Sequence, residues 1–138
     1  MNMNDAFQNL NWLAIIAAAV SSFLIGGLWF SPLMFVNRWM KEAGIQKEDN
    51  RNKNMAKIFG VAFILSLIAS FFLAMFIGKG AGAAFGALAG FMAGFGWVLT
   101  YVGIIYLFES RSFVHFAINA GYSVVSLTVM GLIIGAWQ

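Results

Sequence analysis

Four long apolar stretches, none with a charged residue in its middle, constrain this chain more than any other feature. They run over residues 10–30, 57–77, 82–108 and 113–137. A hydrocarbon core about 30 Å thick is crossed by roughly 20 apolar residues in a helix. Lipid cannot satisfy open backbone groups, and the alternation of a barrel strand is absent, so helices are the expected solution. The reading is an all-α integral membrane protein: one domain over 1–138, with four transmembrane helices in a compact bundle and a short amphipathic interfacial helix after the first span. Composition supports it. Residues of the AVILMFWYC set make up 62% of the chain and charged residues 9%, where soluble domains carry about 25% charged residues. A soluble domain of this size could not hide so much apolar surface. A soluble enzyme, a disordered tail and a nucleic-acid-binding module are therefore excluded. With no Cys, disulfide and zinc-thiolate chemistry are excluded too.

The first span has small residues at Ala17–Ser22, as a cleavable leader would. The tail before it has no Lys or Arg and its apolar run is long, so it reads as a retained helix. Charge then sets the topology. Arg38, Lys41, Lys47, Arg51, Lys53, Lys57 and Arg111 fall on one side of a four-span chain, and Lys79 alone on the other. By the positive-inside rule the loop 37–56 is cytoplasmic and both termini face away from the cytoplasm. Trp12, Trp29, Trp39 and Trp137 sit near span ends, as interfacial anchors do; Trp97 lies deeper and reads as packing.

The first connection has a pattern of its own. Ser31 as N-cap and Pro32 at the first helical position predict a helix over 32–43. Pro32, Phe35, Val36, Trp39, Met40 and Ala43 share one face, with Asn37, Arg38, Lys41 and Glu42 on the other. Gly44 closes it. Such a helix lies on a membrane surface. Residues 44–54 follow as a polar loop, with Asn54 as the cap of span two.

Gly82, Gly86, Gly90 and Gly94 recur every fourth residue on span three. A glycine face lets helix backbones approach closely. Span two offers Ala62, Ser66, Ser70, Ala74 and Gly78 at the same spacing, span one Ala14, Ala18, Ser22 and Gly26, and span four Gly131 and Gly135. Two readings stand. One is packing inside the monomer, with spans two and three as a tight hairpin. The other is a homo-oligomeric seam on span three.

The fourth span carries a polar stripe, with His115, Asn119, Tyr122 and Ser126 at i, i+4, i+7 and i+11. Thr100, Tyr101 and Tyr106 of span three are expected across from it. Polar side chains at membrane depth face protein or a water-filled cavity. The stripe is therefore either a small polar pocket or pathway, with His115 as a titratable gate, or a set of interhelical hydrogen bonds. His115 has no second His, Cys or carboxylate at ligand spacing, so no metal site is expected. Glu109 and Arg111 read as an ion pair at the turn between spans three and four.

Two segments carry a family resemblance. One is Gly26-Gly27-Leu28-Trp29-Phe30-Ser31-Pro32 with Phe35 and Trp39. The other is Leu107-Phe108-Glu109-Ser110-Arg111, then Ile118-Asn119-Ala120-Gly121-Tyr122, Ser126, Met130-Gly131 and Trp137. Together they resemble domain of unknown function 1761, a family of small bacterial and fungal membrane proteins. The resemblance covers nearly the whole chain. It implies no activity, substrate or cofactor. It does imply that the Trp29–Pro32 turn, the Glu109/Arg111 turn and the Asn119–Tyr122 segment recur in such proteins, and that Phe30 stands where relatives carry Tyr. The cytoplasmic membrane of a bacterium is the expected location.

No nucleophile–base pair or metal set is visible, so the chain reads as no enzyme and needs no cofactor. The leading functional reading is a homo-oligomeric transporter, channel-like or ligand-binding membrane protein for a small molecule. Small multidrug exporters need an acidic residue in the first span, and residues 15–27 have none; proton-coupled export of cations is not expected. The alternative is an accessory protein that packs against a membrane-protein partner through its small-residue faces. The lipid bilayer is a partner in both.

Overall fold

The computed structural model describes residues 3–8, 10–46, 48 and 53–138. The helices α1 (Met3–Gln8), α2 (Trp12–Trp29), α3 (Val36–Ala43) and α4 (Met55–Ile77) are followed by α5 (Ala83–Phe108) and α6 (Phe113–Trp137). Among the described residues there is no strand. α2, α4, α5 and α6 are each long and apolar enough to cross a membrane. Most of their outward faces are large and apolar, with Leu24 65% and Phe72 59% exposed. Part of the polar loop 44–54 lies outside the described residues.

Local chemistry explains the helix ends. The side chains of Asn11, Asn54 and Ser112 accept from the backbone N–H of Ala14, Lys57 and His115 at 3.1, 3.2 and 3.0 Å. Each satisfies an orphan donor of a first turn. Gly44 ends α3 at φ +73°, a conformation that glycine adopts without penalty.

α3 begins later than the sequence predicts. Residues 32–35 form turns, and Phe35 precedes the helix without any side-chain cap. The Ser31 hydroxyl donates back to Leu28 O at 2.6 Å. Phe35 N–H reaches Trp29 O at 3.0 Å, and the Trp29 and Phe35 rings meet at 4.9 Å. The Ser–Pro segment is thus used to fold the chain back over the end of α2, and helix starts only after that reversal.

α6 is the common neighbour. α2 packs between α4 and α6, whereas α5 packs almost entirely on α6. Ile15 and Ala18 of α2, Leu73, Ala74 and Ile77 of α4, and Met130 and Ile134 of α6 form the core. This core lies at the end that holds both termini. Gln138 ties it together: its side chain accepts from Asn11 N–H at 3.3 Å and donates to Ala74 O at 2.9 Å.

The expected tight packing of span three on span two is not found; the two touch only loosely, as at Phe76 and Trp97. The glycine face of α5 meets α6 of the same chain. A Cβ on Gly86 would strike Gly131 O, and one on Gly90 would strike Leu127 O. One on Gly94 would lie 2.8 Å from Val124 Cα. Gly131 and Gly135 return the fit, facing the carbonyls of Gly86 and Gly82. Gly82 itself starts α5 at φ +91°. The face that offered an oligomer seam is therefore filled within the monomer. α6 wins over α4 because it offers backbone at the matching positions. Ser70 of α4 instead faces α2, donating to Ile15 O at 2.7 Å, and Ser66 donates to Ala62 O of its own helix.

Candidate functional site

α2 and α4 lie close where their facing residues are small, at Ala14, Ala18, Ser70 and Ala74. Toward the charged end, the Phe23 ring packs 5.5 Å from Phe59 and 6.2 Å from Phe63. Beside it the small residues Gly26, Gly27, Ala62 and Ser66 leave space unfilled. A partly open cavity of about 500 Å³ results. Its walls are Phe23 and Phe30 of α2 and the turn after it, Val36 and Trp39 of α3, and Met55, Ile58 and Phe59 of α4. α6 contributes Asn119 and Tyr122, and Lys53 stands before the first turn of α4. This combination of apolar walls with a few placed polar groups is what small-molecule sites have.

The polar stripe of α6 divides into three. Asn119 and Tyr122 line the cavity. Ser126 is buried and donates to Ser22 Oγ at 2.6 Å. Ser22 Oγ lies 3.2 Å from the Tyr122 hydroxyl, which donates to Ser22 O at 3.1 Å. The three residues form a continuous donor chain that fixes the phenol at the cavity wall. A Cβ on Gly26 would come within 3.1 Å of that hydroxyl, so glycine there makes room for it. Ser22 is the member that the stripe alone did not reveal; its signal was a serine among the small residues of α2. Asn119 Nδ2 donates to the Tyr106 hydroxyl at 2.6 Å, which fixes the amide at the cavity wall.

His115 is set apart from the cavity. It is 5% exposed, its ring is 4.9 Å from Tyr106, and its Nδ1 has no hydrogen-bond partner among the described residues. Thr100 and Tyr101 do not oppose the stripe. Thr100 is exposed and donates to Gly96 O and Trp97 O of its own helix, both at 2.9 Å, and Tyr101 is 65% exposed. The reason is a π-helical segment at Gly94–Leu99. Its wide turns insert about one extra residue, a rotation of roughly 100°. Gly103 and Tyr106 come to face α6, and Tyr101 turns away. Gly94 and Gly96, two residues apart inside one span, are the only hint of this in the sequence.

Trp29, at the end of α2, joins that end to α6. Its Nε1 donates to Ile118 O at 2.9 Å, and its ring edge lies 3.2 Å from where a Cβ on Gly121 would stand. The Phe30 ring meets Tyr122 at 5.5 Å and Trp39 at 5.5 Å. The turn at Trp29–Pro32 and the segment Asn119–Tyr122 are therefore one contact. The Glu109–Arg111 pair, at 3.3 Å, sits on the exposed turn outside the cavity, with Ser110 at φ +56° making the reversal. A family model described as protein of unknown function (DUF1761) matches residues 13–135.

The chain belongs to that family. No curated protein and no solved structure matches it. In this DUF1761 member, two of the three segments that carried the resemblance meet at the cavity, and the third does not. Among the described residues, no three His, Cys, Asp or Glu side chains gather at a metal-sized site.

Glu42, in the last turn of α3, lies beside Ser112 at the start of α6. Glu42 pairs with Arg38 at 3.1 Å. The Ser112 hydroxyl beside it, and then Arg38 and Lys41, hold its carboxyl below the usual carboxylate range against the opposing effect of burial. The positive end of α6 favours the same charge. A carboxyl lowered on folding stabilises above its unfolded value of 4.5 and loses that contribution as pH falls through the lower folded value. Trp39 fluorescence is therefore expected to report α3 loosening below about pH 4.5, and Glu42→Gln should abolish that acid transition. An unchanged transition in the variant would assign it to another group.

Proposed function

We propose that this protein binds a small molecule in the cavity between α2, α3, α4 and α6, within the membrane of the cell. The observation that carries the reading is the cavity itself. An otherwise apolar chamber presents Asn119 and Tyr122, each held in place by hydrogen bonds to a neighbouring helix. Interhelical packing alone would have closed this space with larger side chains than Gly26, Gly27 and Ala62.

The seven-to-one distribution of Lys and Arg supports cytoplasmic placement of the cavity mouth and of α3, with both termini on the opposite side. α3, with Val36 and Met40 buried beneath its charged face, then lies at the cytoplasmic membrane surface. Transport across the bilayer would need copies of the chain to assemble, because the cavity is bounded on its inner side by the Ser22–Tyr122–Ser126 contact and the core beyond. The glycine face is not available for that assembly; the exposed sides of α4 and α5 are. An accessory role through the small-residue faces is less well supported, since α6 already occupies the largest of them. Among the described residues that line the cavity no nucleophile stands beside a base, and the role proposed for the site is binding.

Native mass spectrometry of the protein released from phosphatidylcholine nanodiscs tests this reading. A retained small-molecule adduct is expected. Asn119→Leu should reduce it at least tenfold while costing only about 0.6 kcal/mol of helix–helix hydrogen bonding. An adduct unchanged in Asn119→Leu and in Tyr122→Phe would remove the cavity as its site.

A further inference from the structure

We infer that the ligand is a single-chain amphiphile with an anionic head group, bound with its head at Lys53 and its chain in the cavity; this rests on the cavity being a ligand site. Among the described residues that line it, Lys53 is the one ionised side chain and there is no carboxylate. The two ion pairs among the described residues are Arg38–Glu42 and Arg111–Glu109, so neither commits Lys53. Its ammonium is instead steered by Trp39, with Nζ 5.2 Å from the ring centre. A cation held over an aromatic face at the rim of an apolar chamber is preorganised for an anion. A cationic ligand would meet like charge there.

The dimensions select the body of the ligand. Along α4 the lining runs from Met55 to Ser66, a depth of about 17 Å at 1.5 Å per residue. That is close to one leaflet, half of a hydrocarbon core about 30 Å thick. Phe23, Phe59 and Ile58 make the wall along this depth. The cavity, about 500 Å³ and partly open, has room for one alkyl chain along this depth. Lys53 lies outside the spans, just before the Asn54 cap, where a head group belongs. An extended chain beneath it passes from the rim toward Ser66, with Asn119 and Tyr122 alongside.

The test compares oleate with oleyl alcohol, each added to the full-length protein in phosphatidylcholine nanodiscs. Retention is measured by native mass spectrometry and normalised to the mole fraction of probe in the lipid. Oleate is expected to be retained at least tenfold better than the alcohol. Lys53→Gln should bring oleate down to the level of the alcohol, and Ala62→Trp, which fills the chamber, should abolish retention of both. Replacing part of the lipid by phosphatidylglycerol should not compete. Equal retention of the two probes by the native protein, or oleate retention unaffected by Lys53→Gln, would overturn the anionic head. Competition by phosphatidylglycerol would overturn the single chain. These results leave the cavity reading standing. Retention of both probes undiminished in Ala62→Trp would instead refute the cavity as the site.

Discussion

Gly90→Leu is expected to prevent α5 from docking on α6, with a loss of folded stability above about 3 kcal/mol. A Cβ at Gly90 meets the Leu127 carbonyl and lies 2.7 Å from Leu127 C. Both are backbone atoms, so no rotamer change relieves the overlap. The helices must separate, and every contact from Gly82–Gly135 to Gly94–Val124 is then lost together. In lipid this matters more than it would in water. Hydrocarbon is as apolar as a leucine side chain, so close van der Waals packing, and not the hydrophobic effect, holds two such helices together. The measurement is thermal unfolding in a mild detergent followed by circular dichroism and gel filtration. Gly60→Ala is the matched control, because a Cβ there meets nothing within 4 Å; it should fall within about 1 kcal/mol of the native protein. A Gly90→Leu protein that melts like the native one would refute the α5–α6 contact.

Trp29→Ala should be the most damaging substitution at the site. It removes the indole hydrogen bond to Ile118 O, the tilted ring contact with Phe35 and the filling of the space over Gly121. Replacing a buried aromatic by alanine costs about 3–5 kcal/mol. Trp29 is half-buried, and lipid can enter the gap, so roughly 2 kcal/mol is the expected loss here. The effect on binding should be larger than that figure implies. Trp29 orients the turn that carries Phe30 and launches α3, and so it places two walls of the cavity at once. Retention of the ligand adduct should fall at least tenfold, with helix content by circular dichroism unchanged. Trp29→Phe keeps the ring but loses the donor and should fall between the two. If Trp29→Ala retained its adduct, the turn would not be part of the site.

Much of the fold was legible because its cause is local. Asn54 caps α4 and Gly44 ends α3 through groups within four residues of each other. The polar residues that meet the cavity, Asn119 and Tyr122, were legible because polar side chains stand out at membrane depth. Thr100 and Tyr101 were misplaced for a reason also local but nearly silent: a π-helical segment rotates everything beyond it, and a pair of glycines marks it only weakly. Ser31 is a good cap by type, yet its hydroxyl serves the end of α2, because Phe35 reaches back to Trp29 and delays the next helix.

What this sequence determines by itself is the set of long helices, their apolar character and the charge asymmetry of their connections, since hydropathy and capping act along the chain. What only the tertiary structure decided is which helices meet. Small residues lie on every span, and sequence spacing does not rank their pairings. The choice fell to the fit of backbone against backbone, which joins Gly86 and Gly90 to Gly131 and Leu127. It placed Phe23 against Phe59 and Phe63 beside the small residues Gly26, Gly27, Ala62 and Ser66. The cavity arises from that juxtaposition of two helices, which no periodicity in the sequence could have located.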